Sequence, residues 1–202
     1  MSRGTAPKAR AASGATTSRV RIQGGRWKGR ALPVPGPARP TSGRARAGLF
    51  NVLGEKVVGA RVLDLYAGSG AVGLEAVSRG AARAVLVERE AEPLQRELAR
   101  WRVPEEEVRV LREPASRALA RLSEKGERFD VVFADPPYED ASRLNEIAGV
   151  ADVLAGEGVV VVQTDARSAA PELPGLRVTS RRAYGRNVFH FLVFFDATAR
   201  KC

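Results

Sequence analysis

Residues 61–134 repeat one pattern: a short apolar run closed by a polar residue, then a stretch with apolar positions at helical spacing. Residues 62–65, 84–87, 108–111 and 130–134 read as strands. Between them, Leu74, Ala76 and Val77, then Leu94, Leu98 and Trp101, then residues 115–122 read as helices, because apolar side chains three and four apart line one face. A further helix is expected over Leu144, Ile147, Ala151 and Leu154, followed by strands at 158–163, 176–180 and 188–195. This alternation predicts an α/β fold: a doubly wound, mostly parallel sheet whose ligands lie at the carboxyl ends of the strands.

The length, 202 residues, leaves room for one such domain and a short appendage, and 44% hydrophobic residues can fill its core. The longest aliphatic run, residues 159–162, falls far short of the ~18 apolar residues of a membrane span, which points to a cytoplasmic protein. Cys202 is the one cysteine and His190 the one histidine, so an internal disulfide and a Cys/His zinc cluster are both excluded and no metal is expected. Nothing in the sequence demands more than a monomer.

The formal charge of +10 is unevenly spread. Residues 1–54 hold eleven basic residues and no acid, whereas the remainder carries 22 basic and 23 acidic residues, a net −1. This argues for a polyanion-binding segment on a near-neutral domain. For residues 1–18, rich in Ala, Ser, Thr and Arg without pattern, a solubilising or targeting tail is as open a reading as polyanion binding, and the composition also fits an organellar transit peptide. From Arg19 a pattern emerges: Arg19-Val20-Arg21-Ile22-Gln23, then Gly24-Gly25, then Arg26-Trp27-Lys28-Gly29-Arg30. Two alternating runs about Gly-Gly predict a β-hairpin with a two-residue turn, Ile22 opposite Trp27, Arg21 opposite Lys28 and Arg19 opposite Arg30. Like charges directly opposite are destabilising unless an anion neutralises them, which favours nucleic acid as the partner over a solvated face. Trp27 could stack on a base, but its pairing with Ile22 favours core packing. A proline-rich link over residues 33–40 then leads through Arg39-Pro40-Thr41-Ser42 into a helix with Ala45, Leu49 and Leu53 on one face, and Arg44 and Arg46 extend the basic surface.

Gly68-Ser69-Gly70-Ala71-Val72-Gly73 matches the G-x-G-x-x-G fingerprint, with Glu88 twenty residues after Gly68. The dinucleotide version holds a pyrophosphate, but here Asp64 ends the strand four residues before Gly68 and places a carboxylate at the pocket mouth. A carboxylate repels phosphate and suits a cation, such as the ammonium and sulfonium of S-adenosylmethionine, while Glu88 is placed to accept from two ribose hydroxyls. A helix cap at Asp64 and an exposed strand end at Glu88 are the plainer alternatives.

Asp135-Pro136-Pro137-Tyr138 is more specific. The two prolines fix the backbone at a strand end and remove two N–H donors, so the carbonyls and the Asp135 carboxylate present acceptors only. Acceptors without donors suit an exocyclic amine on a nucleobase, and Tyr138 is placed to stack on an extruded base. Pro-Pro after a strand is also an ordinary stop signal.

Together with Leu49-Phe50-Asn51, Asp64-Leu65-Tyr66-Ala67-Gly68-Ser69-Gly70 and Gly73-Leu74-Glu75-Ala76, these motifs resemble the RsmD-type 16S rRNA guanine-N2 methyltransferases over residues 19–195. The resemblance implies a seven-stranded class I, Rossmann-like methyltransferase sheet with a basic N-terminal hairpin, and S-adenosylmethionine as the methyl donor. Its implied substrate is one guanine N2 amine in 16S rRNA or the assembled small subunit. It implies that Asp64 with Ala67, Gly68, Ser69 and Gly70 holds the methionine end and Glu88 the ribose. Asp135, beside the cofactor, and the Pro136 carbonyl would hold the guanine amine, with Tyr138 stacked on the base. Arg19, Arg21, Arg26, Lys28, Arg30, Arg39, Thr41, Arg44 and Arg46 would meet RNA. The chain then divides into a disordered tail at 1–18, an RNA-contacting hairpin, linker and helix at 19–54, and a methyltransferase domain at 55–202.

Three positions depart from the family pattern: Gly43 and Ala47, where an Asp and a Glu are usual, and Pro114, where an Asp or Asn meets the adenine amine. Glu113 or a backbone carbonyl must substitute for the last. An adenine-N6 methyltransferase acting on RNA or DNA, an NAD-type Rossmann protein and a ribosome-binding module without activity are the competing readings.

Overall fold

The computed structural model describes residues 18–34, 41–137 and 141–195. A seven-stranded sheet has the order β5-β4-β3-β6-β7-β9-β8, built from β3 (Arg61–Leu65), β4 (Arg83–Val87), β5 (Val108–Leu111), β6 (Phe129–Ala134), β7 (Leu154–Asp165), β8 (Leu176–Tyr184) and β9 (Asn187–Phe194). The first five are parallel; β9 runs antiparallel to β7 and β8 antiparallel to β9. The chain winds outward from β3 through β4 to β5 and then returns to β6 on the other side, so the sheet's switch point lies between β3 and β6. In doubly wound sheets the ligand crevice lies at such a point, outside the carboxyl ends of the strands.

Alternation along the strands divides the core between two faces. Val62, Leu86, Val131, Phe133 and Phe189 pack beneath α1 (Gly43–Leu53) and α2 (Ala71–Ser78), with Leu94 and Leu98 of α3 (Glu92–Trp101) in the same cluster. Leu63, Leu65, Val132 and Leu192 face α4 (Ala115–Glu124) and the segment Ala141–Val153. That last segment is a 3-10 helix, not the expected α-helix, and its neighbour Leu154 already belongs to β7. The reason is visible in its sequence: Leu144, Ile147, Val150 and Val153 recur every third residue, the period that aligns side chains on a 3-10 helix.

The N-terminal hairpin exists, but its turn and register differ from the expectation. β1 (Arg19–Arg21) pairs with β2 (Ala31–Pro33), so Arg19 lies opposite Pro33 and Arg21 opposite Ala31, with all of residues 22–30 in the connection. Gly24-Gly25 is not the turn. It is the site where the hairpin docks on the end of α2: the Arg26 N–H donates to the Ser78 carbonyl at 2.8 Å and the Ser78 hydroxyl donates to the Gly24 carbonyl. Gly25 has φ +73°, and a Cβ there would sit 1.7 Å from the Ser78 carbonyl oxygen. The approach therefore requires glycine. Trp27 is buried, its ring centroid 5.8 Å from that of Trp101, as the core-packing reading expects. Val20, Ile22, Trp27 and Leu32 share one hydrophobic cluster with α2, so the basic segment is fixed to the sheet's own core.

Candidate active site

The loop from β3 to α2 forms the floor of the crevice. Tyr66, directly after β3, is a non-glycine residue at φ +61°, and its hydroxyl donates to Glu146 at 3.0 Å. Such a backbone conformation costs on the order of 1–3 kcal/mol and persists only where neighbours impose it. Gly68 (φ +53°) donates its N–H to Glu88 at 2.8 Å, and Gly70 (φ +72°) leads into α2. Gly73 serves packing: a Cβ there would lie 2.1 Å from a Leu86 methyl, so only glycine lets α2 approach β4 this closely.

Asp64 lies within β3 and is only 1% exposed, so its carboxylate sits beneath the glycine loop and not at the pocket mouth. The Gly73 N–H donates to it at 2.8 Å. Burial pushes Asp64 up to about 7, against the Gly73 hydrogen bond, and the negative charges of Asp135 and Glu88 push in the same direction. Asp64 thus lies close enough to the carboxylates that follow two neighbouring strands to be repelled by both. A cation with ribose hydroxyls relieves that repulsion and a phosphate worsens it, so the donor set fits S-adenosylmethionine and not a dinucleotide.

Asp135 follows β6. Gln163, at the carboxyl end of β7, donates from Nε2 to Asp135 Oδ2 at 3.0 Å, and the Thr41 hydroxyl lies 3.0 Å from Gln163 Oε1 and 3.3 Å from Asp135 Oδ2. Pro136 is buried and Pro137 exposed. Tyr138 and Arg39 lie outside the described residues. Glu113 stands beyond β5, but Arg121 (3.0 Å) and Arg117 (3.7 Å) already hold its carboxylate. Ala67 and Ser69 lie in the glycine loop, Ser69 buried.

Two residues assigned to RNA contact from sequence are interior. Arg46 is completely buried: it pairs with Glu75 at 3.3 Å and donates to the carbonyls of Thr41 and Arg21. Its side chain lies on the apolar stripe of α1 with Leu49, Phe50 and Leu53, a spacing of three, four and seven that already marks the core face. Thr41 is also buried, and its hydroxyl turns toward Asp135. The remaining cations, Arg19, Arg21, Arg26, Lys28, Arg30 and Arg44, are exposed. Of these, Arg26 pairs with Glu107 while stacked on Trp27, Arg19 approaches Glu97 at 3.8 Å, and Arg30 lies 5.1 Å over Trp101. Sequence reasoning missed Gln163, whose signal is a buried polar residue closing the apolar run 159–162. It also missed the Arg46–Glu75 pair.

A parallel sheet extended by an antiparallel pair, with a glycine loop and carboxylates at the switch point, defines a class I S-adenosylmethionine-dependent methyltransferase. The solved structure of yhhF, a candidate methyltransferase from Escherichia coli, superposes with a TM-score of 0.76 at 35% identity, covering 88% of this chain and 98% of that one. A candidate SAM-dependent methyltransferase from Streptococcus mutans shares the fold at 11% identity, with a TM-score of 0.64 over 91% of this chain and 57% of that one. The family model described as Conserved hypothetical protein 95 matches residues 20–193. Ribosomal RNA small subunit methyltransferase D of Escherichia coli K12 is 39% identical over 168 residues, 78% of this chain and 81% of that protein. The chain belongs to this family, the RsmD-type methyltransferases, and is an enzyme.

Proposed function

We propose that this protein transfers a methyl group from S-adenosylmethionine to the exocyclic N2 amine of a guanine in 16S rRNA, presented as rRNA or as the assembled small subunit in the cytoplasm. The Asp135 carboxylate carries this reading: Gln163 and Thr41 hold it at a strand end, ahead of two prolines that offer no N–H. An aromatic amine has its lone pair delocalised into the ring. Acceptors that engage both N–H bonds pyramidalise the nitrogen and localise its lone pair toward the methyl group, so Asp135 and the Pro136 carbonyl orient the amine for reaction.

When bound, S-adenosylmethionine supplies a methyl group already activated by its sulfonium. Asp64 and the Ala67, Gly68, Ser69 and Gly70 loop would hold its methionine end and Glu88 its ribose, with Glu113 or its backbone near the adenine. No strong base is required, because the amine becomes acidic as it gains the methyl group. Asp135 therefore acts as acceptor and orienter, and Tyr138 stacks on the flipped guanine. The exposed cations Arg19, Arg21, Arg26, Lys28, Arg30 and Arg44, with Arg39, neutralise the RNA backbone.

Asp135→Ala tests the assignment. Turnover is expected to vanish while adenosylhomocysteine affinity, measured by calorimetry, stays within several-fold. Parallel loss of both would make Asp135 a cofactor ligand and remove its role in orienting the amine.

A further inference from the structure

The net charge of −1 outside residues 1–54 hides a second basic surface. Residues 173–195 contain four arginines, Arg177, Arg181, Arg182 and Arg186, and no acid. All four are exposed, on the edge strand β8 and the β8–β9 turn, and none joins an ion pair among the described residues. Elsewhere in the sheet domain, Arg61, Arg83, Arg109, Arg112, Arg117 and Arg121 face carboxylates, and the other exposed arginines without an ion pair among the described residues, Arg89, Arg96, Arg102, Arg128 and Arg167, stand on separate elements and not along one edge. Unpaired like charges along one edge repel each other unless an anion lies between them.

The register places this edge relative to the reacting centre. Ala134 pairs with Val162, so Asp135 stands beside Gln163; Gln163 pairs with Phe189, and Phe189 pairs with Arg182. Arg182 is therefore level with Asp135, three strands away, and at about 4.8 Å per strand the span is roughly 14 Å. The register shift after Val178 sets the face: beyond it Ser180, Arg182 and Tyr184 lie opposite Phe191, Phe189 and Asn187, on the side that carries α1. Tyr184 packs so closely against α1 that a Cβ on Gly48 would come within 2.2 Å of its ring. Arg44, exposed one helical turn before Gly48, lies on the same stripe of α1. Arg44 and the β8–β9 arginines thus approach each other from opposite ends of the sequence, beside the mouth of the crevice.

We infer that Arg182 and Arg186, next to Arg44, grip the phosphate backbone of the RNA that flanks the target guanine. This extends the basic surface beyond the N-terminal segment and rests on the reading of the enzyme as an RNA methyltransferase. The occupant is the substrate's own sugar-phosphate chain: the edge presents exposed arginines, and it lies level with the carboxylate proposed to hold the base.

The test compares Arg182→Glu/Arg186→Glu with Lys125→Glu/Arg128→Glu, an equal charge change at the turn leading into β6, at the amino ends of the strands. Each is measured for adenosylhomocysteine binding, methyl transfer to unmethylated small subunits, and the salt dependence of RNA affinity. For the first variant KM should rise at least roughly tenfold, and the slope of log affinity against log salt should fall by about 1.5, near 0.7–0.9 for each lost phosphate contact. Adenosylhomocysteine binding and kcat at saturating substrate should hold, and the Lys125→Glu/Arg128→Glu protein should match wild type. Arg182→Gln/Arg186→Gln should give the same changes at smaller size. Equal behaviour of the two charge-reversed proteins, or an unchanged slope in the first, would overturn the assignment. If wild-type protein forms no N2-methylguanosine, the reading of function fails first and takes the edge proposal with it; an active wild type with an indifferent edge variant sinks the edge proposal alone.

Discussion

Asp64 shows how one position can be legible in type and misplaced in space. Its spacing from the glycine loop announces a carboxylate that meets a cation, but the side chain is enclosed beneath the loop and held by Gly73. Enclosure gives it a proton affinity that its sequence neighbours do not reveal. With a value near 7 in the folded chain against an ordinary 3.8, Asp64 takes up a proton on folding between those pH values. Its contribution to the stability of the free protein is therefore greatest below pH 3.8, declines as pH rises toward 7, and is flat above. A cationic ligand reverses the preference, because it favours the ionised carboxylate. Adenosylhomocysteine, through its ammonium, should bind more tightly at pH 8 than at pH 6, with release of a proton at pH 6 that calorimetry in buffers of different ionisation enthalpy detects. Affinity and proton release that do not vary with pH would contradict this placement of Asp64.

At the scale of elements, the β/α alternation was readable because each strand and helix repeats its own period. Two of the failures share a cause: tertiary contacts redirect local signals. Gly24-Gly25 has the chemistry of a tight turn, but the Ser78 carbonyl and hydroxyl claim it as a docking point. Arg46 is a cation in a basic segment, but α1 turns it inward to tie β1, Thr41 and Glu75 together. The Asp135 acceptor thus depends on the N-terminal segment through Thr41. Arg46→Met should destabilise the protein by about 3 kcal/mol, since removing one partner strands a buried charge. Arg79, which also pairs with Glu75 at 2.8 Å, keeps the loss toward the lower end of that class. Equilibrium denaturation checks the value, and a change below about 1 kcal/mol would show that the pair is dispensable.

For the whole molecule, the sequence separated a basic N-terminal segment from a near-neutral domain, and the structure shows why that division is incomplete. The segment shares the domain's core, and the arginines of β8 lie far along the chain, where neighbouring acids in other elements cancel them in the net sum. Charge totals do not reveal that acids such as Glu113, Glu127 and Asp130 are already paired with other arginines. Cationic surface on both sides of a carboxylate-lined crevice fits a polyanion laid across the switch point with one base turned into it. The direct test offers labelled S-adenosylmethionine with unmethylated small subunits, naked 16S rRNA and duplex DNA, followed by nucleoside digestion. Label in N2-methylguanosine from the ribosomal substrates alone is the predicted result; label in N6-methyladenine, or none in any substrate, would contradict it.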